Sequence, residues 1–502
     1  MNAKVSLCYI FLVLLGCSTD SNNESNHAPT PTISSLSFLS ETNSILTSDI
    51  VLTEANNIFK GRSDKNVSVT NLTASFQFSG KEVTVDGVIQ ESGSSRNDFT
   101  DIVTYTVSNR VGVAQTYTVD LTRFTGLPIL NLVTDNFLPI NSKENYLEGS
   151  ISIDGGRGFD DFDTLKMKIR GRGNSTWVAP KKPYQLKLYE KSEFLGMPSD
   201  KKWIFLAEYS DKTMLRNMIA FELGYISNLD WTPEGEFSEV FINNEYNGTY
   251  LIAQKVEESD NRVKLGDTGY LLELDQLTRL DPDDVFFESI ATDKFIINIK
   301  EPELDFESSE YSLIVDQMGQ FESALFGEMF TSDTQGYAQY IDINSFVDWF
   351  LISEITKNVD SKDFSSMYVN VLPGKKIKMG PLWDFDRAFG NASYSESRFT
   401  DGWWVKDHHW YERLFQDPIF VELVKIRFDH FKKNRGMILE KIDEYSDHLK
   451  YAQKENDTKW MTIGNLVWPN PEVFDTYAED VEHLKEWLSQ RMEWLDVAIS
   501  DL

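Results

Sequence analysis

The sequence predicts a small all-β sandwich followed by a larger α+β domain. Residues 30–125 hold short segments of alternating polar and apolar side chains, separated by turn residues, with no run that suits a helix. Beyond Leu127-Pro128 the pattern changes to strands mixed with apolar stripes at helical spacing. At 502 residues the chain also exceeds the size at which one core stops growing, so two or three domains are expected.

The chain opens with Met1-Asn2-Ala3-Lys4 and an apolar run from Val5 to Gly16, too short to span a bilayer but right for the core of a signal peptide. The run ends at Leu14-Leu15-Gly16-Cys17, which resembles the bacterial lipobox. Residues 1–17 are therefore expected to be a lipoprotein signal peptide with Cys17 as the acylated residue. The exported protein would then be held on the outer membrane through the lipid bilayer, with the cell surface as one destination. Residues 18–29 are polar and read as a flexible tether. The segment Ser18 to Ser25 resembles the surface-export signals of Bacteroidetes lipoproteins. Only Cys8 and Cys17 are present and Cys8 lies in the leader, so no internal disulfide is available.

Over residues 30–125 strands are expected at Ser35 to Leu39, Ile50 to Leu52, Val67 to Val69, Ala74 to Phe78, Val83 to Val85, Ile102 to Val107 and Thr116 to Leu121. Gly80, Gly87, Gly93 and the Asn/Asp/Ser clusters supply the turns, and an immunoglobulin-like sandwich is the economical fold. It resembles the modules that precede catalytic domains in Bacteroidetes surface lipoproteins, which implies a spacer.

Over residues 126–502 strands are expected near Ile129 to Thr134, Tyr146 to Ile153 and Leu165 to Arg170. Helices are expected at Met214 to Ile226, Ser309 to Leu325, Ile343 to Thr356, Val421 to Tyr451 and Ala478 to Ile499. In the last helix Val481, Leu484, Leu488, Met492, Leu495 and Ile499 form one apolar face.

The formal charge of −31 excludes nucleic acid as a partner, because the field repels phosphate backbones. An anionic small molecule would need a local basic pocket or a divalent cation. One such place is the stretch from Lys166 to Trp177, where a strand enters the turn Gly171-Arg172-Gly173-Asn174-Ser175 and a second strand returns through Tyr184-Gln185-Leu186-Lys187-Leu188. Glycines let backbone N–H groups approach phosphate oxygens, and Lys187 on the returning strand could reach them as a point charge, as in protein kinases. Taken alone, the same residues also fit a tight hairpin with solvated lysines.

A second constellation lies downstream. The helix from Asn344 to Thr356 delivers Lys357-Asn358-Val359-Asp360 into a loop, the strand Met367 to Val371 follows, and a further strand from Lys376 ends in Asp384-Phe385-Asp386. In kinases one loop aspartate takes the proton of the attacking hydroxyl, and a second one, further along at the end of a hairpin, holds Mg²⁺ against the phosphates. Asp360 and Asp384 have that order.

These blocks resemble the CotH kinase family, the spore coat protein H type. The matching residues are Arg170 to Trp177, Lys182 to Lys187, Leu206 to Asn217, Glu239 to Leu251, Gly269 to Asp275, Asn358 to Asp360 and Gly380 to Gly390, in family order from about residue 127 to the C-terminus. The resemblance implies an atypical protein-kinase-like fold that uses ATP with Mg²⁺ (or Mn²⁺) to phosphorylate Ser or Thr of a protein acceptor. It implies Asp360 as catalytic base, Lys187 as phosphate contact, Asp384 and Asp386 as metal ligands, and Gly171, Gly173, Asn174 and Ser175 around the nucleotide. Glu222, on the helix carrying Arg216-Asn217, would be the partner of Lys187. Many family members carry Asn five residues after the loop aspartate; here Ser365 and then Ser366 stand there. Serine is the weaker oxygen ligand, so the resemblance implies that one metal suffices or that catalysis is impaired.

His408-His409 lack the ligand spacing of a zinc site. The aromatic stretch Trp403 to Tyr411 is a minor candidate for stacking on a sugar or a substrate. Two functions follow: a phosphotransferase, or a kinase-fold module that binds a surface protein or glycan without transfer.

Overall fold

Alternation along the chain becomes sheet wherever one face can be buried, and in the N-terminal unit it builds two larger sheets. The computed structural model describes residues 30–502 except 65–66, 156–157, 292–294, 363–364 and 408. The lipobox reading at Cys17 and the tether at 18–29 lie outside the described residues, as does His408 of the His408-His409 pair. The chain divides between Phe124 and Thr125 into two units. Among the described residues no helix is long and apolar enough to cross a membrane.

The first unit is all strand. One sheet orders Ile50–Val51, Thr32–Phe38 and Ser75–Ser79. A second orders Thr53–Ala55, Ile58–Asp64, Ala114–Phe124, Val103–Ser108, Glu82–Val85 and Val88–Ile89, and a short third pairs Leu72–Thr73 with Arg96–Asn97. Ile33, Leu36 and Phe38 share a core with Phe59, Val83, Tyr105, Val107 and Val119, and the Phe76 and Tyr105 rings meet edge-on at 5.8 Å. Two expectations change. Val67 to Val69 forms no strand, and Ile58–Asp64 does, pairing parallel with Ala114–Phe124. The charged and glycine residues Lys60, Gly61 and Arg62 hid that strand, because its inward positions are not all apolar.

The second unit is mixed α+β. Seven strands close a barrel: β1 (Ile129–Thr134), β2 (Leu147–Asp154), β3 (Phe162–Gly171), β4 (Tyr184–Phe194), β5 (Met197–Leu206), β6 (Gly235–Ile242) and β7 (Glu245–Gln254). Their order around the barrel is β1-β2-β3-β4-β5-β7-β6, and a parallel pairing of β1 with β6 completes it. Leu130, Ile151, Met167, Ile169, Leu186, Leu188, Trp203 and Ile252 fill the interior, with Phe194 stacked on Trp203 at 5.1 Å. The helix α1 (Arg216–Tyr225) lies between β5 and β6 in sequence.

Downstream, β8 (Tyr270–Asp275), β9 (Val285–Glu288), β10 (Ile296–Glu301), β11 (Met367–Val371) and β12 (Lys378–Met379) make an antiparallel sheet ordered β9-β10-β8-β11-β12. With it α2 (Ser309–Phe326), α3 (Ile343–Thr356), α4 (His409–Leu414), α5 (Pro418–His448), α6 (Ala452–Trp460) and α7 (Tyr477–Ser500) share one large apolar core, and α6 packs on β7 of the barrel, where Asn456 Oδ1 accepts from the Thr249 N–H at 3.1 Å. Asp342 caps α3 by accepting from the Asn344 and Ser345 N–H groups, and every residue from Ser345 to Thr356 is buried. The expected strand running from Lys376 to Asp386 is corrected: β12 is two residues long, because Gly380 adopts φ 104° and Pro381 has no N–H for a ladder.

Candidate functional site

Several elements, Leu466, Val467 and Trp468 among them, converge on a cleft of about 360 Å³, a volume that suits a small molecule. The turn after β3 supplies Arg172, Gly173, Ser175 and Lys181; the end of β5 supplies Glu208; α1 supplies Asn217; the loop after β12 supplies Trp383, Asp384, Asp386 and Arg387.

The turn after β3 depends on its glycines. Gly173 has φ 80°, a conformation that side chains with a Cβ resist, and a Cβ on Gly171 would stand 2.2 Å from the Trp177 ring. Gly173 and Ser175 line the cleft; Gly171 is covered by Trp177, and Asn174 is exposed beside the cleft rather than in it. Ser175 Oγ accepts from Arg387 at 2.7 Å, which ties this turn to the aspartate loop.

Two predicted residues are placed elsewhere. Lys187 is exposed on β4, directly opposite Lys168 and Lys202 on the flanking strands, and does not line the cleft. Leu186 and Leu188 point into the barrel, so the two-residue period sends Lys187 to solvent. Glu222 is buried on α1, but it accepts from the Tyr445 hydroxyl of α5 and makes no pair with Lys187. The lysine that faces the cleft is Lys181. It is buried, donates to the Thr249 carbonyl, and lies 4.6 Å from the centre of the Tyr250 ring. Burial lowers its pKa to about 7, against the pull of Glu208 and Glu239.

The aspartates do assemble. Asp360 lies in a short helical turn, Val359–Ser361, capped by the Asn358 side chain, which accepts from the Asp360 N–H at 3.2 Å. The same Asn358 side chain donates to the Asp384 carbonyl at 3.1 Å, so one asparagine joins the two aspartate loops. Asp384 holds a left-handed backbone, φ 65°. From the other side the Phe385 N–H donates to Asn217 Oδ1 at 2.7 Å, while Asn217 Nδ2 donates to Glu208 Oε1 at 2.9 Å. Glu208 Oε2 is buried with no hydrogen-bond partner.

Their electrostatics follow from crowding. Burial and then the Asp384 charge raise Asp386 to about 8, and the same two causes raise Asp360 to about 6. Burial, Asp211 and Asp386 push Glu208 well above the carboxylate range. Against them stand Arg172, 5.1 Å from the Trp383 ring and within the field of Asp384, and Arg387, whose charge favours ionised Asp386 and Asp360. Hard oxygen donors that repel one another fit a divalent cation such as Mg²⁺. Among the described residues no three His, Cys, Asp or Glu side chains stand close enough to cage a metal unaided. The set therefore fits an ion that keeps waters and phosphate oxygens as its other ligands.

Sequence reasoning missed Lys181, Glu208 and Arg387 as residues of the site. A signal was present for the α1 contribution, since Arg216-Asn217 open an otherwise apolar helix. The aromatic stretch is corrected from a sugar platform to internal packing. Trp410 and Tyr411 are buried among Phe321, Phe346 and Trp349, and Trp404 Nε1 donates to the Asn358 carbonyl at 2.6 Å.

The family model described as CotH kinase protein matches residues 169–495. No curated protein sequence matches the chain. A Bacteroides thetaiotaomicron crystal structure provisionally described as a glycoside hydrolase aligns at 13% identity over 57% of this chain and 88% of its own, with a TM-score of 0.16.

Proposed function

Because the chain belongs to the CotH kinase family, we propose that it is an atypical protein kinase, transferring the γ-phosphoryl group of ATP to a Ser or Thr hydroxyl of a protein acceptor with Mg²⁺ or Mn²⁺ as cofactor. The observation that supports this most is the meeting of Asp384, Asp386, Arg172, Lys181 and the Gly173 turn at one cleft, with Asp360 tied to the Asp384 loop through Asn358 and within the field of Asp384. The second unit is read as kinase-like in fold, and the first as an immunoglobulin-like spacer.

In this reading Arg172, Lys181 and the backbone of the Gly173 turn receive the phosphates, offsetting the chain's overall negative field. Asp384 and Asp386 would hold the divalent ion, which would neutralise charge on the β- and γ-phosphates. Asp360 would accept the acceptor's proton. The acceptor oxygen then bonds to the γ-phosphorus as the bond to the bridging oxygen of ADP breaks. A carboxylate near pKa 6 suits that task at neutral pH, being mostly ionised yet more basic than an exposed aspartate. Asn358 and Asn217 are positioning residues, since each bonds the backbone of the Asp384 loop from one side.

Metal-dependent nucleotide binding tests this reading. In equilibrium dialysis with Mg²⁺ and a non-hydrolysable ATP analogue, Asp384→Ala should lower affinity by about a hundredfold or more with an unchanged circular dichroism spectrum. Equal binding by variant and parent would remove the metal assignment.

A further inference from the structure

In two-metal protein kinases the catalytic-loop aspartate is followed five residues later by an asparagine whose carbonyl holds the second magnesium ion. The residue here is Ser365. Its hydroxyl oxygen accepts a hydrogen bond from the Arg279 guanidinium. Arg279 ends a short helical turn, Leu277–Arg279, just after β8, and its backbone N–H donates to the Gln276 carbonyl at 2.9 Å. Next to Ser365, the Ser366 N–H donates to Glu273 of β8 at 2.7 Å, so β8 and its turn hold this part of the loop at two points. The positive charge of Arg279 also favours the ionised forms of Asp360 and Asp275.

We propose that Arg279 is the second cation of this site: the chain holds one divalent ion at Asp384, and the guanidinium held by Ser365 occupies the position of a second ion beside Asp360. A serine hydroxyl is already a weaker ligand than an amide carbonyl, and here its oxygen is engaged by a permanent cation that repels an approaching metal. A guanidinium carries five donors in a planar fork, so bonding Ser365 leaves others to meet a phosphoryl oxygen. Charge neutralisation opposite the base is thereby built into the chain. This inference rests on the phosphotransferase reading and adds to it the number of metal ions and the residue that replaces one.

The test counts Mn²⁺ by electron paramagnetic resonance on the full chain saturated with a non-hydrolysable ATP analogue. The parent should bind one Mn²⁺ per chain, and the double variant Arg279→Ala/Ser365→Asn should bind two. Arg279→Ala alone should lower phosphoryl transfer by about a hundredfold at an unchanged melting temperature, with Arg279→Gln as the bulkier neutral control. Two Mn²⁺ per parent chain, or full transfer in both single variants, overturns the assignment while leaving the kinase reading in place. A parent chain that binds no nucleotide overturns both.

Discussion

At the scale of single residues, the difference between Lys181 and Lys187 is the sharpest outcome. Both lie near the glycine turn and both carry a formal positive charge, but only one faces the cleft. Lys187 has Leu186 and Leu188 as neighbours filling the barrel, so strand geometry leaves it in water. Lys181 sits before the strand begins, in a turn with no period to read, and is drawn inward by the Thr249 carbonyl and the Tyr250 ring. Hence Lys181→Met should weaken ATP-analogue binding by about ten- to a hundredfold, the worth of a charge-assisted hydrogen bond, whereas Lys187→Met should stay within about twofold. Isothermal titration calorimetry of both variants checks the pair. The reverse ranking would return the phosphate contact to β4. Asp360 and Asp384, by contrast, come together as their order in the chain suggests, Asp360 just after α3 and Asp384 a few residues beyond β12, although the strand expected to carry Asp384 ends early.

Elements place those aspartates. The helix α3 ends at Lys357 in a left-handed conformation, φ 42°, and turns Asn358 and Asp360 into the site. Below it, Glu354 and Arg491 make a buried pair at 2.7 Å, and Glu354 also accepts from the Trp404, Val405 and Lys406 N–H groups. Neither partner was readable as a site support, since the two stand far apart in sequence and meet only when α7 packs on α3. Bringing the Asp360 and Asp384 loops together costs stability in the absence of a cation. Folding raises Asp386 to about 8 and Asp360 to about 6, so the native chain binds protons more tightly than the unfolded chain. That contribution is full at low pH and is lost as pH rises from about 4 towards 8. Without metal the melting temperature should therefore fall across this window, by several degrees more in the parent than in Asp386→Asn. Added Mg²⁺ should recover most of the difference above pH 7. Scanning calorimetry at stepped pH decides it, and a parallel fall in parent and variant would mean that Asp386 is not held against its neighbours.

Over the whole molecule, the division near residue 125, the α+β class and most long helices were legible because composition and period change together there. Strand order was not, since a barrel closed by a parallel β1–β6 pair depends on contacts distant in sequence. The field of a chain at −31 would keep ATP away unless cations were gathered at one place. Arg172, Lys181 and Arg387 line the cleft beside Glu208, Asp384 and Asp386, and Arg279 acts on Asp360, so the cations offset the local carboxylates and a divalent ion would add the positive charge that phosphates need. The most direct measurement is transfer of label from [γ-³²P]ATP by the purified full chain with Mg²⁺ to itself or a generic protein acceptor, run beside Asp360→Asn. Label that appears with the parent and falls by about a thousandfold with the variant, while the variant still binds nucleotide, is the predicted result. Equal labelling by both proteins would contradict the role of Asp360, and no labelling with no nucleotide binding would leave a kinase-fold module that binds a surface partner.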